Sequence, residues 1–184
     1  MEVKNKLKNI MVLIIILSIS LLLLHNINKL TNPIIQEKKD EIFKEELLSI
    51  FDSFDSFNEK IIHDKNNNKK NTIFEIIKNN EIIGYAITEY KYGYQSEIGV
   101  LVGFNKNKTI KKIKIIEQME TPGIGSKILD KNFLNQFSNK KKEEIKLKKN
   151  DGKIDAVTSA TISSEAVVNS VKEAFNDYLS YINE

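Results

Sequence analysis

The chain opens with an apolar segment that is long enough to approach a membrane span. From Ile10 to Leu24 no charged residue occurs, and only two serines interrupt the apolar side chains. Leu7 and Ile27 extend the run towards the roughly 20 residues that a bilayer core requires. The run is apolar on all faces, unlike a helix that packs one face against a soluble core. Residues 10–28 are therefore predicted to form a transmembrane anchor.

The lysines before the anchor predict its orientation. Lys4, Lys6 and Lys8 precede the apolar run, and such lysines tend to stay in the cytoplasm. Residues 1–9 are accordingly predicted to be cytoplasmic and the rest of the chain, beyond the anchor, extracytoplasmic, in the cell membrane. A cleaved signal peptide is the alternative, but the run ends at Leu24 to Lys29 without a small-x-small pattern, which favours an uncleaved anchor.

Residues 29–71 are predicted to be a juxtamembrane helix followed by a polar loop. Asn32 and Pro33 form the pattern of a helix start, with a capping residue before a proline at the first helical position. Apolar residues then recur at helical spacing as far as about Phe54. An Asn- and Lys-rich run from His63 to Asn71 is typical of a solvated loop.

From residue 72 the apolar spacing changes to that of strands. Turn-forming residues, such as Asn79 and Asn80, separate the apolar segments. The pattern predicts an antiparallel meander of four strands: Thr72–Lys78, Glu81–Tyr90, Glu97–Phe104 and Thr109–Ile116. Tyrosines in this region, including Tyr94, could stack on a ring system, but half-buried sheet residues are the favoured interpretation.

The remaining elements complete an α+β domain over residues 72–184. Apolar residues from Ile128 to Phe137 predict a short helix, and a long C-terminal helix is predicted from about Ser163. Two short strands, Ile145–Leu147 and Ile154–Val157, are predicted around a turn signal at 150–152. The predicted fold is one N-terminal transmembrane helix followed by a single domain, with a mainly antiparallel sheet flanked by helices.

Composition excludes several kinds of site. The 184 residues include no cysteine and two histidines, which argues against disulfides, iron–sulfur clusters on this chain, cysteine nucleophiles and any metal site. The net charge is +3 and every basic residue is lysine. Arginine is the usual bidentate reader of guanine, so its absence argues against nucleic-acid binding. No G-x-G-x-x-G fingerprint for NAD is present, and no catalytic side chain is predicted.

Two segments carry candidate chemistry. In Glu120–Gly125 a proline and two glycines force a loop where backbone can approach a ligand closely. In Asp155–Ser164 a cluster of hydroxyls precedes a long helix, whose unpaired first-turn N–H groups and dipole favour an anion such as phosphate. The small Ser159 and Ala160 leave room for a bulky group. On these physical grounds alone, an ordinary helix cap at Ser163 or Ser164 is the favoured interpretation, with Thr161 incidental.

Both segments resemble the motifs of one family. Thr158–Ser163, in sequence T-S-A-T-I-S, resembles the [S/T]-G-A-T-x-[S/T] motif of the FMN-binding domain. This domain occurs in the G subunit of Rnf electron-transport complexes and in the C subunit of the sodium-pumping NADH:quinone reductase. Glu120–Gly125 resembles the family's E-T-P-G-[LI]-G loop. Ser159 stands where the family's motif has glycine, and serine would be strained there if the position required a positive φ.

The resemblance implies roles for these residues. Thr161 would carry FMN covalently through a phosphoester bond that a flavin transferase installs, and Asp155 would belong to the motif that is recognised for this transfer. Ser163 would support the phosphate. The remaining implied cofactor-binding residues are Glu120, Thr121, Gly123, Gly125, Thr158, Ser159 and Ala160.

The resemblance also implies a function that needs partners. The chain would be an electron-transfer subunit of a membrane-bound, ion-translocating ferredoxin:NAD oxidoreductase, and it would not be catalytic alone. Its partners would be the other membrane and iron–sulfur subunits of that complex. Two alternatives remain open: a stand-alone membrane-anchored extracytoplasmic flavoprotein reductase, and a non-catalytic anchor or assembly module.

Overall fold

The computed structural model describes residues 2–63 and 70–183. The chain divides into two compact units, Met1–Glu45 and Glu46–Glu184. Helix α1, Glu2–Phe51, supplies the described part of the first unit and ends in the second. Within the described residues, Ile10–Ile27 is the one stretch of helix long and apolar enough to cross a membrane. Its mean hydropathy is 2.6 and none of its residues is buried, as a lipid-facing helix requires.

One predicted boundary in α1 is wrong. The backbone remains helical through Asn32 and Pro33, where the sequence predicted a new helix to begin. Proline lacks an N–H and therefore removes one hydrogen bond from the ladder. The other hydrogen bonds of the ladder are sufficient to continue the helix across this position.

The second unit is built on a five-stranded antiparallel sheet in the order β1-β2-β3-β4-β5. Two consecutive positive-φ residues, Asn79 and Asn80, make the hairpin turn between the second and third strands, as a two-residue turn of the primed type requires. The α+β class and the four-strand meander are thereby confirmed. The strands are β1 Ser56–His63, β2 Lys70–Lys78, β3 Glu81–Tyr92, β4 Glu97–Asn105 and β5 Thr109–Glu117.

The first strand was not predicted. β1 pairs with β2 along its whole length and forms an edge of the sheet. Its adjacent Ile61 and Ile62 break the alternation by which a half-buried strand is recognised, and Ile61 is 65% exposed. The predicted polar loop 63–71 falls mostly outside the described residues, while His63 and Asn71 at its ends belong to strands. The second compact unit, which begins at Glu46, therefore includes β1.

Apolar residues cover both faces of the sheet. On one face, Phe104 of β4 stacks on Tyr178 at 4.6 Å between ring centroids and meets Phe175 edge-on at 5.1 Å. These two partners lie on helix α3, Thr161–Ile182, whose apolar side forms the main core with β3, β4 and β5. On the other face, Phe51 at the end of α1 packs over Gly84 and Gly103. A Cβ at Gly84 would collide with Phe51, and a Cβ at Gly103 would collide with Ile50.

The connection from β5 to α3 is made of short helical turns. It contains the α-helix α2, Lys131–Asn135, and three 3-10 helices, of which the first is Gly125–Leu129. The predicted strands at 145–147 and 154–157 are wrong, because only a single parallel bridge, Leu147 to Ile154, joins these segments. The residues that would continue the first strand of a hairpin form a 3-10 helix instead, Lys148–Asn150.

Candidate functional site

A tight turn directly precedes α3. The N–H of Ala160 donates to the carbonyl of Val157 at 3.0 Å, which closes a four-residue turn. Ser159 is its third residue and has φ of +66°. A type II turn needs a positive φ at that position, and glycine meets this requirement without strain. The structure therefore explains why the family's motif has glycine here, and it places Ser159 in a left-handed conformation.

Helix α3 begins without a side-chain cap. Its first residue is Thr161, and Ala160 occupies the cap position, where no side-chain hydrogen bond is found among the described residues. Ser164 instead accepts from the N–H of Val157 at 3.0 Å and donates to the carbonyl of Ala160 at 2.8 Å. The ordinary cap at Ser163 or Ser164 is thus not what the structure shows. An uncapped helix start favours an anion.

A cavity of about 630 Å³ lies beside this helix start. The volume is within the range of cavities that enclose small molecules and cofactors. Thr161 is exposed and lines the cavity. The wall is apolar and hydroxyl-bearing apart from one carboxylate, and its residues are Tyr94, Glu120, Thr121, Ile124, Gly125, Ser159, Ala160, Thr161, Ile162 and Ser163.

The single carboxylate, that of Glu120, is buried and bonded to neighbouring protein groups. One oxygen accepts from the N–H groups of Gln95 and Ser96 at 2.9 and 3.0 Å. The other accepts from the N–H of Tyr94 at 3.2 Å and from the hydroxyl of Ser163 at 2.6 Å. These bonds join the β3–β4 turn, the loop at 120–125 and the first turn of α3.

The surroundings of Glu120 favour its ionised form. Burial raises the pKa of this carboxyl, but the hydrogen bonds from Ser163 and from the backbone of residues 94–96 outweigh burial and leave the pKa below its ordinary value. Glycine is needed at two positions next to the Glu120 carboxylate. A Cβ at Gly93 would lie 2.6 Å from one carboxylate oxygen, and a Cβ at Gly125 would lie 2.8 Å from the other.

Seven of the ten residues predicted for the site line the cavity: Glu120, Thr121, Gly125, Ser159, Ala160, Thr161 and Ser163. Gly123 is exposed, with φ of +75° and its N–H donated to the hydroxyl of Ser126 at 2.9 Å, so it shapes the loop. The hydroxyl proton of Ser163 is donated to Glu120, so backbone N–H groups remain as donors for a phosphate.

The other two predicted residues, Asp155 and Thr158, line an adjoining groove. Asp155 forms an exposed ion pair with Lys148 at 2.8 Å. Its backbone N–H donates to the side-chain oxygen of Gln136 at 2.7 Å, and the amide of Gln136 donates back to its carbonyl at 3.2 Å. Asp155 thus lies on the protein surface, beside the cavity that Thr161 lines.

Three apolar residues of the cavity were not predicted as site residues. Ile124 and Ile162 are about half exposed beside the glycine loop and Thr161. Tyr94 was interpreted as a half-buried strand residue, which is wrong: it lies in the β3–β4 turn and is 72% exposed. Gly93 directly before it is the signal that could have indicated a turn.

The conformation of Ser159 predicts a stabilising substitution. Ser159→Gly should raise the free energy of unfolding by up to about 1 kcal/mol, because the relief of left-handed strain exceeds the added entropy of the unfolded chain. Urea unfolding of the detergent-solubilised chain measures this. Ser159→Ala is the control, since alanine keeps the Cβ and should give no gain. Equal stability of the glycine and alanine variants would contradict the strain at this residue.

Comparison with known proteins places the chain in a family. A model of the FMN-binding domain matches residues 93–176, from the β3–β4 turn into α3. The G subunit of the proton-translocating ferredoxin:NAD(+) oxidoreductase complex of Clostridium ljungdahlii is 30% identical over 155 residues, covering 83% of this chain and 80% of that protein. The chain belongs to this family of G subunits. The predicted resemblance is confirmed.

Two further relatives show how far the likeness extends. The G subunit of the Na(+)-translocating ferredoxin:NAD(+) oxidoreductase complex of Acetobacterium woodii is 33% identical over 130 residues. The match covers 65% of this chain and 62% of that protein, less than two thirds of its length. A crystal structure of the C subunit of the Na(+)-translocating NADH-quinone reductase from Parabacteroides distasonis shares the fold, with a TM-score of 0.53. It is 20% identical, and the match covers 62% of this chain and 64% of that one.

Proposed function

We propose that this member of the family of G subunits carries FMN attached to Thr161 through a phosphoester bond and serves as an electron-transfer subunit. The observation that carries the proposal is the placement of Thr161. This exposed residue stands at the uncapped start of α3 and at the edge of a cavity of about 630 Å³. The residues present fit the cofactor, because the helix start suits a phosphate and the apolar wall suits a flat ring system.

Attachment needs the Thr161 hydroxyl and an activated flavin nucleotide. The Thr161 oxygen would form a bond to the phosphorus of the FMN moiety, and the bond from that phosphorus to its leaving group would break. With FAD as the donor, AMP would leave and the hydroxyl proton would pass to a base of the flavin transferase. Asp155 is exposed and lies with Thr158 in the adjoining groove, which suits recognition by such an enzyme.

The bound flavin would supply the capacity to take up and release electrons. The chain itself binds, orients and tethers. Backbone N–H groups of the first turn of α3 would hold the phosphate, and Tyr94, Ile124 and Ile162 would cover the ring from water. Among the described residues the wall includes no lysine, so the helix dipole and backbone N–H groups are the groups that would attract a phosphate there. Covalent attachment would therefore be what retains FMN in a domain facing a large external volume.

The names of the relatives suggest the setting of this electron transfer. The Clostridium and Acetobacterium relatives are subunits of ferredoxin:NAD(+) oxidoreductase complexes that translocate protons and sodium ions, respectively. We propose that this chain occupies the same place in an Rnf-type complex, with membrane and iron–sulfur subunits as its electron donors and acceptors. The chain has no cysteine for a cluster of its own, so electrons must enter and leave through partners.

Purification of the tagged chain from its native membrane tests this setting. We expect membrane and iron–sulfur subunits to co-purify with it, and we expect the chain to show flavin fluorescence in a denaturing gel. A fluorescent chain that purifies alone and reduces a soluble acceptor would support a stand-alone reductase instead. A stably folded chain without flavin would support a non-catalytic anchor or assembly module.

The apolar stretch Ile10–Ile27 and the lysines before it support a single-pass topology. We expect residues 1–9 in the cytoplasm and the unit Glu46–Glu184 on the outer side. Intact spheroplasts, from which the outer layer has been removed, are treated with a lysine-specific protease. The protease should cut this unit, while a fluorescent reporter fused to the N-terminus should stay protected. Protection of the sheet domain would contradict the orientation.

A further inference from the structure

Glu120 places a buried negative charge in the wall of the proposed flavin site. The residue is 4% exposed. Its carboxylate accepts hydrogen bonds from three backbone N–H groups and from the hydroxyl of Ser163. Among the described residues no lysine forms an ion pair with it, and the cavity wall includes no cation. These neutral donors stabilise the ionised group without cancelling its charge.

The hydrogen bonds of Glu120 connect the two sides of the cavity wall to each other. Tyr94 lies in the β3–β4 turn, and Thr161 lies two residues before Ser163 in the first turn of α3. Because Glu120 accepts from the backbone N–H of Tyr94 and from the hydroxyl of Ser163, it joins the backbone segments on the two sides of the cavity. Gly93 and Gly125 leave the space that the carboxylate occupies, because a Cβ at either position would come within 2.8 Å of one of its oxygens.

A fixed charge at this place has an electrostatic consequence. Reduction of a flavin adds negative charge to its ring unless a proton follows each electron. A carboxylate held in a partly water-excluded wall disfavours that added charge, and it does so more strongly than a solvated carboxylate would. The electrons come from the redox partner, and no bond of Glu120 forms or breaks.

We propose that Glu120 is a positioning residue that lowers the redox potential of the flavin carried by Thr161. The proposal rests on the proposed function. It changes the expected role of Glu120 from a cofactor-binding residue to a charged group that is bonded to the protein and acts on the ring through its field. A lower potential would suit a carrier that must pass electrons on to its next acceptor.

A potentiometric titration of the full-length chain tests this. The chain is co-expressed with a flavin transferase, solubilised in detergent and titrated with dithionite, while its visible spectrum is recorded. Glu120→Gln keeps the shape and removes the charge. We expect it to raise the reduced-to-oxidised ratio at a fixed potential about tenfold, or about 59 mV for a one-electron step and about 30 mV for a two-electron step.

Two matched variants separate charge from structure. Glu117→Gln removes an equal charge three residues away, where the side chain is exposed, and should leave the midpoint unchanged because water screens it. Ser163→Ala keeps the charge and removes the donor that approaches it at 2.6 Å, so the midpoint should fall further. A merely structural residue would lower stability in both Glu120→Gln and Ser163→Ala without opposite shifts of potential.

Each outcome decides the proposal. An unchanged midpoint in Glu120→Gln, or a shift equal to that of Glu117→Gln, overturns it. If Glu120→Gln yields no flavin-loaded protein, Ser163→Ala decides: a lower midpoint supports the role of the charge, and an unchanged or higher one overturns it. Mass spectrometry of the wild type comes first. The absence of an adduct on Thr161 would defeat the proposed function, whereas an adduct with an unmoved potential defeats only the role of Glu120.

Discussion

Thr161→Ala should abolish the covalent flavin completely. Alanine removes the only oxygen at this position that can form the phosphoester, and the rest of the cavity would then hold FMN through helix dipoles and apolar contact alone. After co-expression with a flavin transferase, the intact mass should lack the increase of one FMN less one water. In-gel fluorescence should also disappear, and FMN should be lost on desalting.

Thr161→Ser provides the matched control for this substitution. Serine retains the hydroxyl at the same place on the first turn of α3, so the adduct should still form. Thr161 is exposed and makes no core contact, so both variants should unfold at the wild-type urea concentration. A flavin adduct that persists in Thr161→Ala would show that another residue is the attachment point.

Phe104→Ala should cost about 3–5 kcal/mol of the free energy of unfolding. Phe104 is fully buried near the end of β4, with one aromatic partner stacked on it and another edge-on. Truncation would leave a cavity that the sheet cannot collapse to fill, because α3 packs along the same face. Losses of this size are a large part of the stability of a typical domain.

Urea unfolding followed by circular dichroism measures this loss in the detergent-solubilised chain. Tyr92→Ala is the control, because Tyr92 is an aromatic residue of the neighbouring strand that is 76% exposed, and its removal should change stability by less than about 0.5 kcal/mol. Flavin attachment should fall in Phe104→Ala, since the start of α3 depends on the fold. Similar urea midpoints for the two variants would contradict the placement of Phe104 in the core.

Local patterns were sufficient where one interaction dominates. The apolar stretch 10–28 predicted a membrane-spanning helix because lipid requires one long apolar run. The apolar segments of β2 to β5 predicted a meander because turn-forming residues separate them. The prediction of two strands within residues 145–157 was wrong. A turn does lie at 150–152, but a 3-10 helix and a single parallel bridge stand where the hairpin was predicted.

The site shows the same division. The E-T-P-G-I-G and T-S-A-T-I-S motifs pointed to residues that line one cavity, although about 40 positions separate them in the chain. The position of Tyr94 in the cavity wall could not be predicted, because the antiparallel pairing of β3 and β4 brings their connecting turn to Glu120. Strand tyrosines and turn tyrosines look alike when the end of the strand is not known.

Thr161 as the residue that carries a flavin phosphate remains a prediction, which rests on the resemblance of its motif. By itself the sequence determined the apolar N-terminal helix and the antiparallel sheet. Each of these follows from residues close together in the chain, where period, turn chemistry and motif act locally. Only the tertiary structure decided that Ser159 has a positive φ in a type II turn, that α3 begins uncapped, and that the oxygens of Glu120 are bonded to protein donors. Those features depend on which distant segments meet, and contacts between distant segments leave no local pattern.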